Sequence, residues 1–529
     1  MLKILVSDKL AEEGVEILKA EKDIQVDVKT GLTPEELSSI IGGYDAIVIR
    51  SQTKLTGDIL SKAARLKAIG RAGVGLDNVD IESATKQGII VMNAPSGNSI
   101  STCEQAFALM LAMSRNVALA DKSVRAGKWE RSKFKGTELY NKTLGVIGLG
   151  RIGREISKRA LSFGMKVVSY DPFISEDVAK KLDIEIVELK KLLSEADYIT
   201  VHTPLTEETR GLISDDEFSI MKPNARVINC ARGGIISEKA LYLALKDKKI
   251  SFAALDVYEK EPPEKDNPLF RLDNIVLSPH LGASTKEAQI NVAVEIAHCV
   301  KDVLKGRALK NAVNFPSLDP ETFTALSPYI SLAEKLGMVS SQLIEGRIKE
   351  VWISYAGDIT SFKLIPVTSS LVKGVLSPIL EGTVNFVNAF NLAKDRGIKI
   401  ESTKSSEGTD YLNSIAVRIK SDKEEISLEG ALFANHYPRI VKINGFYLEI
   451  SPAKYMIFLS NRDKPGVIGK LGAMLGRRKI NIATMSFGRK KEEGLAITAL
   501  TIDTPLTGEI IEEILSDSDF SNVKFIKIS

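Results

Sequence analysis

Residues 142–171, KTLGVIGLGRIGREISKRALSFGMKVVSYD, constrain this chain more than any other stretch. Thr143–Ile147 is a short apolar run suited to a parallel strand buried on both faces. It passes straight into Gly148-Leu149-Gly150-Arg151-Ile152-Gly153, a G-x-G-x-x-G turn. Ile152, Ile156, Ala160 and Phe163 then recur at helical spacing, Gly164 is placed to stop that helix, and Lys166–Tyr170 is a second strand closed by Asp171. Gly148 allows the tight strand-to-helix turn, Gly150 lets backbone approach a pyrophosphate, and Gly153 lets helix pack on strand. The helix start offers free N–H groups and partial positive charge to phosphates. Asp171 can accept from a ribose diol and would repel a 2′-phosphate. No Arg or Lys follows it directly, so the pattern favours NAD over NADP. A bare G-x-G-x-x-G can be a helix-capping turn that binds nothing; here strand, turn, helix, strand and acid occur in order.

The remaining sequence must supply partners for this unit. A chain of 529 residues has room for about three or four domains. Hydrophobic content of 44%, charged content of 26% and a formal net charge of +3 are ordinary for a globular protein. They give no reason to expect nucleic acid or a membrane surface as partner. Cys103, Cys230 and Cys299 are far apart and form no C-x-x-C pair, so neither a disulfide framework nor a metal site is expected. MLKILVSDKL reads as a first strand and not as a signal peptide. No apolar run is long enough to span a bilayer, and a cytoplasmic location is expected.

Residues 1 to about 95 alternate strands (Ile4–Ser7, Ala46–Ile49, Leu66–Gly70, Ile89–Met92) with helices, one of which starts at Thr33 with Pro34 and a capping-box Glu36. This unit lacks the dinucleotide pattern and is a candidate substrate domain. Arg50-Ser51-Gln52-Thr53-Lys54 and Arg71-Ala72-Gly73-Val74-Gly75 both follow strands, where open α/β sheets bind ligands. Two arginines on one crevice suit a carboxylate or phosphate; equally, they are two surface arginines on loops. Ser101 with Glu104 is expected to cap a long apolar helix reaching about Asn116 and crossing between domains. After Asp171 the α/β rhythm continues, with strand tails at His202-Thr203-Pro204, Cys230-Ala231-Arg232-Gly233-Gly234, Asp256 and Ser278-Pro279-His280-Leu281-Gly282-Ala283. A helix from about Thr285 to Gly306 is expected to return to the first unit. Residues 307–322, with Pro316 and Pro320, read as a linker. Residues 323 to about 450 carry no motif tied to chemistry. From Tyr455 the order βαββαβ suggests a small sheet with two helices on one face, its other face and edges open to pairing with a second copy. Asn461–Gly466 reads as its first turn.

A dehydrogenase acting on a hydroxyl needs a base, and histidine is the usual one near neutral pH. Of four histidines, His298 lies on an apolar helix and reads as core, His202 as packed at a strand end, and His436 as a surface loop residue. His280, on a strand-end loop before Gly282, is the candidate by elimination and position. Glu261, stiffened by Pro262 and Pro263, can orient it, or it is an exposed loop glutamate. Arg232 can hold a substrate carboxylate, or it is a structural ion pair.

Together, 148–153, Asn-Cys-Ala-Arg-Gly-Gly at 229–234, Asp-Val-Tyr-Glu-Lys-Glu-Pro-Pro at 256–263 and Ser-Pro-His-Leu-Gly-Ala-Ser-Thr at 278–285 resemble the D-isomer-specific 2-hydroxyacid dehydrogenases. Arg-Ala-Gly-Val-Gly-Leu-Asp-Asn-Val-Asp at 71–80 points to their long, phosphoglycerate-oxidising branch. The resemblance spans the chain. It implies two Rossmann-like or flavodoxin-like parallel-sheet domains, substrate-binding at 1–96 with 284–306 and NAD-binding at 97–283. An α+β intervening domain (323–452) and a ferredoxin-like ACT domain (453–529) would follow. It implies Arg232, Glu261 and His280 as the catalytic set. It places NAD at Gly148, Gly150, Arg151, Ile152, Gly153 and Asp171, and at Thr203, Cys230, Ala231, Arg232, Asp256, His280, Leu281, Gly282 and Ala283, with Val74 nearby. Substrate is placed near Arg50, Ser51, Arg71, Val74, Gly75 and Asn98, with Arg131 and Lys133 as candidates to assist its phosphate from their own or a neighbouring subunit. It further implies D-3-phosphoglycerate as substrate, L-serine bound near Asp463 and Asn481 as effector, and a homotetramer. Asn461 and Arg462 depart from the more apolar residues of that pattern. Competing readings are a related enzyme using lactate, glyoxylate or hydroxypyruvate, a NAD-sensing corepressor on the same fold, and an amino-acid-binding module, which accounts for the tail alone.

Overall fold

Apolar runs without alternation become strands covered on both faces. The computed structural model describes residues 1–380, 384–405, 411–434, 436–489 and 494–528. Leu2–Val6 (β1), Ile24–Val28 (β2), Ala46–Ile49 (β3), Ala68–Arg71 (β4) and Ile90–Asn93 (β5) form a parallel sheet in the order β2-β1-β3-β4-β5. Every residue of β3 is buried. A second parallel sheet holds Thr143–Ile147 (β6), Lys166–Tyr170 (β7), Glu185–Ile186 (β8), Tyr198–Val201 (β9), Arg226–Asn229 (β10), Phe252–Leu255 (β11) and Ile275–Leu277 (β12). Its order is β12-β11-β10-β9-β6-β7-β8, so the direction of winding reverses between β6 and β9 and opens a crevice beyond their carboxyl ends.

Two helices connect these sheets. The outgoing one, Ser99–Ser114, starts two residues before Ser101, and no Ser101–Glu104 cap forms. The Ser101 hydroxyl instead donates to the Gly282 carbonyl (2.7 Å), tying the crossover helix to the His280 loop. The returning helix, Lys286–Leu304, lies on the first sheet. A Cβ on Gly70 of β4 would come within 2.5 Å of Val300, so glycine is what lets this helix seat. Residues 307–322 are packed along β5: Val313 N–H donates to the Val91 carbonyl (2.9 Å), and the Asn314 amide spans Val91 N, Ile89 O and Thr85 Oγ1.

The third sheet follows alternation. In Asn413–Ser421, Ile415, Val417 and Ile419 are buried while Arg418 and Lys420 are exposed. Its buried face covers the helices Pro320–Leu343 and Ile365–Leu376. The six strands of the third sheet are Ile348–Gly357 (β13), Lys399–Ser405 (β14), Asn413–Ser421 (β15), Glu425–Phe433 (β16), Tyr437–Ile443 (β17) and Phe446–Ile450 (β18); the last sheet, Tyr455–Arg462 (β19), Ile482–Arg489 (β20), Leu495–Ile502 (β21) and Phe520–Lys527 (β22), runs β20-β21-β19-β22. The turn expected from Asn461 begins later. Asn461 is buried in β19 because its Oδ1 accepts from Thr498 (2.8 Å) and its amide donates to the Arg462 carbonyl (3.0 Å). The face away from the two helices is covered within the chain: Met456, Phe458, Ala499 and Ile526 share one core with Leu343, Ile344 and Ile450. No helix among the described residues is long and apolar enough to cross a membrane.

Candidate active site

The loop after β12 is folded around one carboxylate. Asp256, fully buried at the end of β11, accepts from Ser278 Oγ (2.5 Å), Leu281 N (2.8 Å) and Gly282 N (2.8 Å). Its carbonyl accepts from His280 N (2.9 Å). Those bonds hold His280 at φ 54, a left-handed conformation that a non-glycine residue adopts only under local constraint. The ring is aimed by Glu261, whose Oε2 lies 2.6 Å from His280 Nδ1. With Nδ1–H donated to that carboxylate, Nε2 is left as the acceptor. Burial disfavours the Glu261 charge, but the hydrogen bonds from His280 and the Tyr258 N–H, with the His280 and Arg232 charges, outweigh it and hold the carboxyl below its ordinary value.

His280 and Glu261 open onto a cavity of about 530 Å³ between the first two domains, facing Arg232, Arg50, Arg71 and Lys54. Arg232 is anchored by donation to its neighbour's carbonyl, Ala231 O (2.7 Å). A Cβ on Gly75 would strike the Arg232 guanidinium, and one on Gly73 that of Arg71. The glycine loop therefore serves to make room for two cations. Arg71 Nε is buried without a partner among the described residues, and burial together with the Arg232 charge pulls its pKa down to about 10. The Arg50 loop is pinned from behind: Asp8 accepts from Arg50 N (2.6 Å), and Asn78 donates to the carbonyls of Arg50 (2.7 Å) and Thr53 (2.6 Å). Asp8, Lys54, Asp77 and Asn78 were not singled out from sequence. The visible signal was their position, one at a strand end and the others on the two arginine loops. Ser51, Val74, Gly75 and Asn98 line the same cavity.

A second cavity, of about 380 Å³, shares Val74, Gly75, Asp77, Asn98, Arg232, His280 and Ala283 with the first and adds Ile152, Thr203, Cys230, Ala231 and Gly282. Around the nearby turn, a Cβ on Gly148 would meet the His202 carbonyl and one on Gly153 the Gly148 carbonyl, whereas Gly150 faces open space. These residues fit NAD. Gly150 leaves room for a pyrophosphate at the start of the helix Arg151–Ser162. Asp171 at the end of β7 holds the turn through Leu149 N (2.8 Å), and Thr203 Oγ1 is a buried polar atom with no partner among the described residues. Arg151 reaches Ser96 Oγ (2.7 Å), linking this helix to the segment between domains. Asp256 opens onto neither cavity; it acts on this side through the loop it holds.

Of the other candidates, His202 lines the second cavity, but its Nδ1 is buried and desolvation pushes the ring down to about 4, so it stays neutral. His298 is exposed, contrary to the expectation of a core residue, because it sits on the solvent side of its helix. His436 is exposed. Arg131 and Lys133 lie on an exposed turn, where Lys133 pairs with Glu130 (3.7 Å), and neither lines the cavity of its own chain. Asp463 pairs with Arg489 (3.3 Å) and Asn481 donates to Asp503 (2.7 Å), so these two are engaged with different partners.

Comparisons with known proteins bear on all four units. Profiles for the NAD-binding domain of D-isomer-specific 2-hydroxyacid dehydrogenases, the D-3-phosphoglycerate dehydrogenase intervening domain and the ACT domain match residues 107–282, 325–444 and 455–518. The chain is 44% identical over 529 residues to D-3-phosphoglycerate dehydrogenase of Archaeoglobus fulgidus, covering all of both chains. It is 42% identical to that of Bacillus subtilis, again over both whole chains. Among solved structures, D-lactate dehydrogenase of Aquifex aeolicus, complexed with NAD and lactic acid, is 31% identical with a TM-score of 0.53. The match covers 59% of this chain and all of that one.

Proposed function

This chain belongs to the D-isomer-specific 2-hydroxyacid dehydrogenases, in the long form with intervening and ACT domains, and from that premise we propose that it oxidises D-3-phosphoglycerate to 3-phosphohydroxypyruvate. The observation that carries the reading is His280, backed by Glu261, in one cavity with Arg232, Arg50, Arg71 and Lys54. Arg232 receives the substrate carboxylate in a planar fork. Arg50, Arg71 and Lys54 receive the phosphate. His280 Nε2 takes the C2 hydroxyl proton, and Glu261 steadies the resulting imidazolium. Bound NAD would supply the acceptor for the hydride released from C2. Gly148, Gly150, Arg151 and Gly153 would hold its pyrophosphate, Asp171 its ribose, and Thr203 with the loop 280–283 the nicotinamide end.

The domain boundaries at 97, 284, 307, 323 and 453 belong to this proposal, as do a homotetramer and a cytoplasmic location. The ACT domain supports an amino-acid effector. L-Serine, the end product of a route that begins with this oxidation, is the one proposed, near Asp463 and Asn481. The cluster of cations favours a phosphorylated acid over lactate, glyoxylate or hydroxypyruvate. The test is NADH formation with D-3-phosphoglycerate, D-glycerate and D-lactate, repeated with L-serine. Preference for the phosphorylated acid and a response to serine are expected. Equal rates on all three would contradict the substrate, and no NADH with any of them would favour a NAD-sensing regulator.

A further inference from the structure

The substrate cavity holds four basic side chains, Arg50, Lys54, Arg71 and Arg232, against two carboxylates. One of these, Glu261, is engaged with His280. The other is Asp77, at the tip of the loop after β4. Its Oδ2 lies 3.6 Å from Arg232 Nε, and its charge also acts on Arg71. The Asp77 side chain is 78% exposed and that of Arg232 27%, so the acid leans from solvent onto a partly enclosed cation. The Asp77 side chain makes no hydrogen bond among those found for the described residues, unlike Asn78 beside it, which pins the Arg50 loop. Gly75, two residues earlier, leaves the gap in which the Asp77 carboxylate and the Arg232 guanidinium approach.

We propose that Asp77 is a placeholder for the substrate carboxylate: it pairs with Arg232 in competition with a 2-hydroxy or 2-keto acid, whose carboxylate must displace it. This rests on the reading of Arg232 as the carboxylate's partner. The device weakens substrate and product alike. It therefore belongs to binding common to ground state and transition state, which appears in KM and not in kcat. It also keeps the 2-keto acid product from being trapped on a bare guanidinium.

The test is Asp77→Asn, which keeps the shape and removes the charge of an exposed side chain. An exposed ion pair corresponds to a factor of about 2 to 5 in an equilibrium constant, so KM for D-3-phosphoglycerate should fall by about that factor, with no rise in kcat. The gap between variant and wild type should narrow in about 0.5 M salt. A KM that is unchanged or higher would overturn the proposal, because a residue that positions Arg232 would weaken binding when altered. A second measurement needs no turnover: calorimetric titration of the NADH-loaded protein with oxalate. Tighter binding by Asp77→Asn supports the placeholder, and equal or weaker binding overturns it. Failure of the wild-type protein to oxidise D-3-phosphoglycerate would instead contradict the proposed substrate, leaving the oxalate comparison to decide the role of Asp77.

Discussion

At the scale of single residues, a histidine is useful as a base only when one ring nitrogen is fixed and the other is free. Glu261 supplies the fixing contact at 2.6 Å. Because its carboxyl is held below the ordinary value, Glu261 stays ionised as acid is added through the range in which imidazoles ordinarily protonate. The sign follows: the forward rate should fall on the acid side through loss of the neutral imidazole, with Glu261 still charged. Glu261→Gln should keep that acid limb while lowering kcat by about 10²-fold, at the low end for a group that supports general base catalysis. A pH–rate profile of both proteins checks this. The glycine loop makes a second prediction. A methyl at Gly75 would fall on the Arg232 guanidinium. Gly75→Ala should raise KM for the acid by about tenfold, the worth of roughly one charge-assisted hydrogen bond, with a smaller loss of NADH affinity because Gly75 and Arg232 line both cavities. Steady-state kinetics beside NADH fluorescence titration separate the two.

At the scale of elements, the strand-end loop 278–282 depends on Asp256. Asp256→Ala would leave one buried and one part-buried N–H group and a hydroxyl without their acceptor, and should cost about 2–4 kcal/mol of stability and most of the activity. Thermal unfolding measures the first and NADH formation the second. Strands such as Ala46–Ile49 were legible because a run buried on both faces has an unbroken apolar sequence. Thr33 was legible because its capping box is local: Glu36 N donates to Thr33 Oγ1 and Thr33 N to Glu36 Oε2. What could not be read depended on distant partners. Ser101 looks like a cap until Gly282, 181 residues away, supplies its acceptor. Residues 307–322 look like a linker because their ladder partner is β5, more than 200 residues earlier. Asn461 looks like a turn residue until Thr498 satisfies it inside a sheet. At the site, His280, Glu261 and Arg232 were legible from residue type and strand-end position, but the parts of Asp8, Asn78 and Asp77 were not, since each acts on a loop far away in sequence.

At the scale of the whole molecule, the intervening domain is held at both ends. Asn385 donates to the Gly88 carbonyl of the first domain (2.9 Å), and Phe386 packs edge-on against Phe315. At the other end Gln342 bonds both the N–H and the C=O of Lys527 (3.0 Å each), and Phe458 is buried in the shared core. The ACT domain and the first domain are therefore joined by packed contacts through the intervening domain. Phe458→Ala should destabilise this junction by about 3–5 kcal/mol and weaken any response to L-serine before it lowers basal turnover. Limited proteolysis near residue 452 and the serine titration check it. The site itself lies between the first two domains, and everything proposed for it turns on the imidazole there. The most direct measurement is NADH formation from D-3-phosphoglycerate by His280→Ala beside the wild type, with NADH binding measured on both. A loss of about 10³-fold in kcat with cofactor affinity retained is the predicted result; near-wild-type turnover by His280→Ala would contradict the account.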